Sequence, residues 1–95
     1  MADALRQRCF MRGLINKDLE LALSDCNMAL KMQFANSTVL KGRALVYLRL
    51  GNVEKSIVDF KAAEKLQPKD AWIRYGLRLA ELKKGLYSAE RQRSA

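Results

Sequence analysis

The sequence contains no histidine, a single proline and two cysteines among its 95 residues. Without histidine the common zinc-binding sets, the serine triad and a cysteine–histidine pair are all excluded. Acid–base chemistry would fall to carboxylates, lysines or tyrosines, and none of these stands in a recognisable catalytic spacing. The five glycines form no phosphate-cradling loop. Cys9 and Cys26 lie too far apart in sequence for a metal motif. No apolar run reaches the ~18–20 residues that a membrane span requires. The opening MADALRQRCF lacks the long apolar core of a secretory signal. The expectation is a chain with no enzymatic activity, no cofactor, no metal and no membrane span.

What is present is globular. Apolar residues make up 49% of the chain and charged residues 29%, a balance that supports one modest folded domain. Eighteen Lys and Arg against ten Asp and Glu leave a net charge of +8. The excess gathers towards the ends, at Arg6, Arg8 and Arg12 and at Lys83, Lys84, Arg91 and Arg93. A basic balance suits nucleic acid, anionic lipid or an acidic peptide. No single helix carries a dense basic stripe, however, so the plainer reading is a solvated helical surface.

The chain repeats itself. KDLELALSDCNMALKMQFAN (residues 17–36) and GNVEKSIVDFKAAEKLQPKD (51–70) align at an offset of 34, pairing Glu20 with Glu54, Asp25 with Asp59, Ala29 with Ala63 and Lys31 with Lys65. Leu23 meets Ile57 and Cys26 meets Phe60. Each unit reads as two helices. Leu40, Ala44, Tyr47 and Leu48 recur at helical spacing over 37–50, and Val53, Ile57, Phe60 and Ala63 over 53–66. Asn36 or Ser37 is the N-cap, Gly51-Asn52 breaks the pair, and Pro68 stops the second helix. Gly42, Leu45, Leu48 and Gly51 return as Gly76, Leu79, Leu82 and Gly85, so a third unit begins at 71. Turns are expected near Lys17, Phe34, Gly51, Pro68 and Gly85. Leu40, Ala44, Tyr47, Ile57, Phe60 and Ala63 are the expected core.

A 34-residue helix–turn–helix period resembles the tetratricopeptide repeat. The likeness covers nearly the whole chain and is closest at 37–70, where Ala44, Tyr47, Gly51, Ile57, Phe60, Ala63 and Pro68 fall on the family's preferred positions. It implies an all-α fold of antiparallel helix–turn–helix repeats, stacked as a short right-handed α-solenoid, with units at about 3–36, 37–70 and a partial 71–95. Leu40 stands where the family likes a bulky aromatic, Ser56 replaces the usual alanine at the closest helix approach, and Phe34 replaces the stop proline. In the first unit Phe10 takes a small-residue spot and Gly13 an aromatic one. In the third, Arg74, Arg78 and Glu81 share one face, expected to be a polar outer wall and not a docking surface. Both ends therefore look like terminal modifications of the array.

The resemblance further implies a protein-interaction scaffold whose concave groove binds a peptide or partner helix, one carrying some acidic groups. The groove-facing positions are Gln7 and Met11 in the first unit, with Ala4, Leu14 and Ile15 beside them. Thr38, Lys41, Leu45 and Arg49 follow in the second unit, then Trp72, Tyr75, Leu79 and Lys83 in the third. Helical spacing alone cannot separate the leucines from core. Trp72, Tyr75 and Lys41 are the positions most expected to be exposed. The carboxylate clamp with which some family members hold acidic chaperone tails needs Lys, Asn and Arg at positions occupied here by Gln7, Met11, Gly42, Trp72 and Gly76, and is rejected. RNA binding through the basic surface is the alternative, but no base-reading code is found.

Asp25 and Asp59 fall on second helices and read as solvated or surface-paired carboxylates. Cys9 and Cys26 fall on paired helices. They are small buried thiols by default, which suits a cytoplasmic protein, although a disulfide is conceivable and would point to a periplasmic or secreted one. An unfinished third unit would leave Trp72, Ile73, Tyr75, Leu77 and Leu79 partly uncovered, which permits a homodimer through the C-terminal helices.

Overall fold

The computed structural model describes the backbone of residues 2–32 and 36–94, with side chains for 4–32 and 36–85. Five helices follow in order: α1 (Ala2–Ile15), α2 (Leu19–Met32), α3 (Ser37–Leu50), α4 (Val53–Leu66) and α5 (Ala71–Ser94). No strand occurs among the described residues. The helices α2 and α4 each lie against the two helices that flank them in sequence, and α1 lies along α3. The molecule measures 48 × 29 × 20 Å, and its 20 Å thickness is about two helix diameters. This is an all-α helical repeat.

Local chemistry sets the boundaries. Asn36 caps α3, its side-chain oxygen accepting from the Val39 N–H at 3.1 Å. Gly51 ends α3 in the left-handed region at φ 87°, with Gly51 N–H donating to the Leu48 carbonyl and Asn52 N–H to that of Tyr47. That pair of bonds is a Schellman closure, which glycine permits without a Cβ penalty. Asn52 then caps α4 through Lys55 N–H. The turn expected near Phe34 lies outside the described residues.

The first turn differs. Asn16 and Asp18 take φ of 56° and 51°, and Asn16 and Lys17 N–H groups close onto the carbonyls of Gly13 and Arg12. Asn16 thus does for α1 what Gly51 does for α3, 35 residues on instead of 34. One extra residue sits in this turn. The register of α1 therefore slips by one, so that Cys9, and not Phe10, corresponds to the small buried Ala44. With that slip Phe10 leaves the small-residue spot, and the aromatic spot of Tyr47 falls to Arg12 instead of Gly13.

The turn expected at Gly85 is not there. The helix α5 runs through it to Ser94. Gly51 is followed by a capping asparagine, whereas Gly85 is followed by Leu86 and then mostly by good helix formers, so one glycine costing about 1 kcal/mol does not end the helix.

Two cores result. Cys9, Ala22, Cys26, Ala29, Val39 and Val46 form one, and Ala44, Leu48, Val53, Ile57, Phe60, Ala63, Ile73, Leu77 and Ala80 form the other. Of the expected core, Ala44, Ile57, Phe60 and Ala63 are buried, while Leu40 and Tyr47 are half-buried. Ser56 is fully buried and donates its hydroxyl to the Ala44 carbonyl at 2.7 Å. Gly76 lies under the Phe60 ring, where an added Cβ would come within 2.5 Å of ring carbons.

Two substitutions probe this contact. Phe60→Ala is expected to cost about 3–5 kcal/mol, as large aromatic truncations in cores do. Gly76→Ala, although favourable to helix propensity, should cost about 1–3 kcal/mol by overpacking. Urea unfolding followed by helical circular dichroism measures both, and an unchanged midpoint for either would contradict the packing.

Candidate partner-binding surface

Lys41 sits on α3 between the two neighbouring first helices of the array. Its ammonium lies 5.8 Å from the centroid of Phe10 on α1 and 5.5 Å from that of Trp72 on α5. The two rings are themselves 5.3 Å apart. The Nζ also donates to Asp70 Oδ2 at 3.1 Å. The other Asp70 oxygen accepts from the Trp72 and Ile73 N–H groups, capping α5. One carboxylate thus anchors both the cation and the helix start. The hydrogen bond from Lys41 holds the Asp70 carboxyl below its usual range, helped by the two backbone donors.

This corrects the expectation that Lys41 and Trp72 project into an open groove. Both are half-buried, and together with Phe10 they close the wall at that level. Aromatic faces attract the ammonium and cover apolar area at once, so the cluster satisfies itself. Tyr75, by contrast, is 70% exposed. Gln7, Met11, Arg49, Leu79 and Lys83 are exposed, Thr38 is half-buried, and Leu45 belongs to the core beside Gly13. Arg49 bridges two first helices, its Nε donating to the Gly13 carbonyl at 3.3 Å.

Three of the expected groove residues do converge. Gln7, Met11 and Thr38 line a cavity of about 230 Å³, shared with Arg6 and Phe10. Arg6 and Phe10 were not among the expected positions because the one-residue slip in α1 rotates that helix relative to the repeat frame. The signal that could have found them is the Asn16–Asp18 pair, two residues tolerant of left-handed backbone where the next unit has a glycine.

Of the two alternatives for Asp25 and Asp59, solvated or paired with nearby Lys or Arg, the structure shows pairing with arginine. Asp25 is 7% and Asp59 4% exposed. Arg43 reaches Asp59 with Nε at 2.7 Å and a terminal nitrogen at 2.9 Å, and also donates to Asn27. Arg8 embraces Asp25 at 3.1 and 2.7 Å, with Arg12 adding a third bond at 3.0 Å. These two-pronged bonds push the Arg8 and Arg43 guanidiniums further up. Arg8 and Arg43 are repeat equivalents in the slipped register, so each helix pair carries the same clasp.

Among the described residues no three metal-binding side chains come together. Among them, too, no helix is long and apolar enough to cross a membrane.

The fold and its surface define a helical repeat with a small apolar cavity between its first helices. Peptidyl-prolyl cis-trans isomerase FKBP42 of Arabidopsis thaliana is 34% identical over 97 aligned residues, an alignment that covers 97% of this chain and 27% of that protein. The chain therefore spans about a quarter of the length of the curated relative it matches. No family model matches, and no solved structure gives a significant match.

Asp70→Asn isolates the ion pair, because the amide oxygen still caps α5. It is expected to cost about 0.5–1 kcal/mol, as exposed to half-buried pairs do. A depressed carboxyl stabilises the fold only while ionised: its contribution is complete above about pH 4 and lost as pH falls through the lowered native value. The variant should lose that part of the acid dependence. Melting temperatures recorded between neutral and strongly acidic pH would show it, and identical slopes for both proteins would contradict it.

Proposed function

We propose that the chain is a protein-interaction module of the tetratricopeptide type, with units at about 3–36, 37–70 and 71–95. It would hold a peptide or partner helix along its first helices. The observation that carries this reading is the cavity between α1 and α3, where Gln7, Met11 and Thr38 meet around the Phe10 ring. Small-molecule sites usually enclose about 300–1,000 Å³. A hollow of about 230 Å³ is suited to one or two apolar anchor side chains of a longer ligand, the usual form of an interaction hot spot. Met11 at its rim is polarizable and adaptable. Exposed Tyr75, Leu79 and Lys83 continue the surface on α5, and with Arg49 they favour a ligand carrying acidic groups.

The matching relative is named as a peptidyl-prolyl isomerase, and the aligned stretch is 27% of it. We read this stretch as one that docks partners, with no catalytic role, because the sequence lacks histidine and any nucleophile–base spacing. Fluorescence anisotropy against an array of acidic and basic amphipathic peptides tests the reading. Acidic amphipathic peptides should bind in the micromolar range, and Met11→Ala or Thr38→Arg should weaken them about tenfold. Binding that ignores both substitutions would remove the cavity from the account. Tight binding to generic single-stranded RNA that collapses with salt would favour the nucleic-acid alternative instead.

We also propose that Cys9 and Cys26 are bridged in the mature chain. Their Cα atoms are 5.1 Å apart and their sulfurs are joined, a spacing within the range a disulfide needs. Both are fully buried. Closing a loop of that length should add about 3 kcal/mol. Thiol titration of the unreduced, unfolded chain should find no free thiol, and reduction should lower the unfolding midpoint; two free thiols would return the pair to small buried hydrophobes.

A further inference from the structure

A further hollow lies against α5. It encloses about 540 Å³ and is lined by Glu64 of α4 and by Ala71, Arg74, Tyr75, Leu77, Arg78 and Glu81 of α5. Its floor is apolar, with Leu77 buried and the Tyr75 ring standing 70% exposed beside it. Its rim holds two guanidiniums and two carboxylates. Among the described residues none of these four is engaged in an ion pair, although Arg78 and Glu81 are helix neighbours. The rim therefore carries equal numbers of the two signs within a chain of net charge +8.

We propose that this face pairs with the same face of a second copy of the chain, forming a two-fold dimer with the α5 helices antiparallel. A two-fold interface must be complementary to itself, residue i meeting j while j meets i. Arg74 and Glu81 satisfy that requirement. They stand seven residues, about two turns, apart on one stripe of α5. An axis crossing the helix near Arg78 sets Arg74 opposite Glu81 of the second copy, and Glu81 opposite its Arg74. Glu64, across the cavity, is the carboxylate available to Arg78. The Tyr75 rings and the exposed Leu82 side chains then lose water around these pairs. The continuity of α5 through Gly85 matters here, because a turn at that point would have folded chain back over the face.

A basic chain repels its own copies wherever like charge faces like charge. On this face the repulsion is locally cancelled, so a second copy is the occupant whose charges match. A ligand of one sign would leave either the arginines or the glutamates unanswered.

Sedimentation of the whole chain through the micromolar range, at low and moderate salt, tests the proposal. The wild type should move from monomer to dimer, less so as salt rises. Arg74→Glu and Glu81→Arg each place like charges opposite one another and should weaken the dimer at least tenfold. The Arg74→Glu/Glu81→Arg double variant restores the match with the signs exchanged and should recover it. Both positions are exposed, so unchanged helical circular dichroism will confirm that each variant is folded. A wild type that stays monomeric, single reversals without effect, or a double variant that fails to recover would each overturn the proposal.

Discussion

The ring of Phe60 occupies the space that a Cβ on Gly76 would need. The helix α5 can settle on α4 only because residue 76 has no side chain, and the larger core is built around that approach. Thirty-four residues earlier Gly42 meets the Cys9 sulfur, 3.0 Å from an added Cβ. The residue corresponding to Phe60 there is Cys26, too short to reach across. Cys9 and Cys26 together fill the volume that the ring fills in the next unit. Glycine inside a helix costs about 1 kcal/mol relative to alanine, and the repeat accepts this because a helix pair on its own leaves an apolar face to water.

Most of the architecture is legible in the sequence because the physics that sets it is local. Asn36 and Asn52 start helices and Gly51 ends one through bonds within a few residues, and α4 ends at Leu66 just before Pro68, each where expected. Apolar spacing at three and four residues marks the buried face of α4 correctly, whereas on α3 it finds Ala44 and Leu48 but marks Leu40 and Tyr47, which are half-buried. A fixed offset of 34 fails at the first turn, because Asn16 adopts a glycine-like conformation one residue early. That single insertion moves Phe10 onto the inner wall and turns Cys9 inward. Gly85 misleads for the opposite reason: it copies the letter at Gly51 without the capping asparagine that makes Gly51 a stop. Glycine allows a turn, and the residue after it decides whether one forms.

The candidate site was less legible, since its contacts are between residues far apart in the chain. The sequence offers Lys41 and Trp72 as exposed, which their residue types favour. Nothing local to either shows that Phe10 and Asp70 will meet them. For Asp25 and Asp59 the sequence leaves solvation and pairing open. Which guanidinium meets each is a contact between helices, and burial then follows from satisfied hydrogen bonds. These clasps join each helix to the next in the same way in both units, so they belong to the repeat as much as the apolar core does.

They also redistribute the charge. Arg8, Arg12, Arg43 and Lys41 are answered by Asp25, Asp59 and Asp70, so part of the basic composition is spent on architecture and presents little field to a ligand. Of the fourteen other Lys and Arg, six lie on the second helices and the turns beside Asp18, Glu20, Glu54 and Glu64, and eight lie on α1, α3 and α5 beside Asp3, Glu81 and Glu90. The larger surplus therefore lies on the first helices. At physiological ionic strength each such charge acts within about 8 Å, close enough to reach a ligand seated there. Recognition is left to the surfaces where apolar area and charge coincide, on the first helices and at the exposed flank of α5.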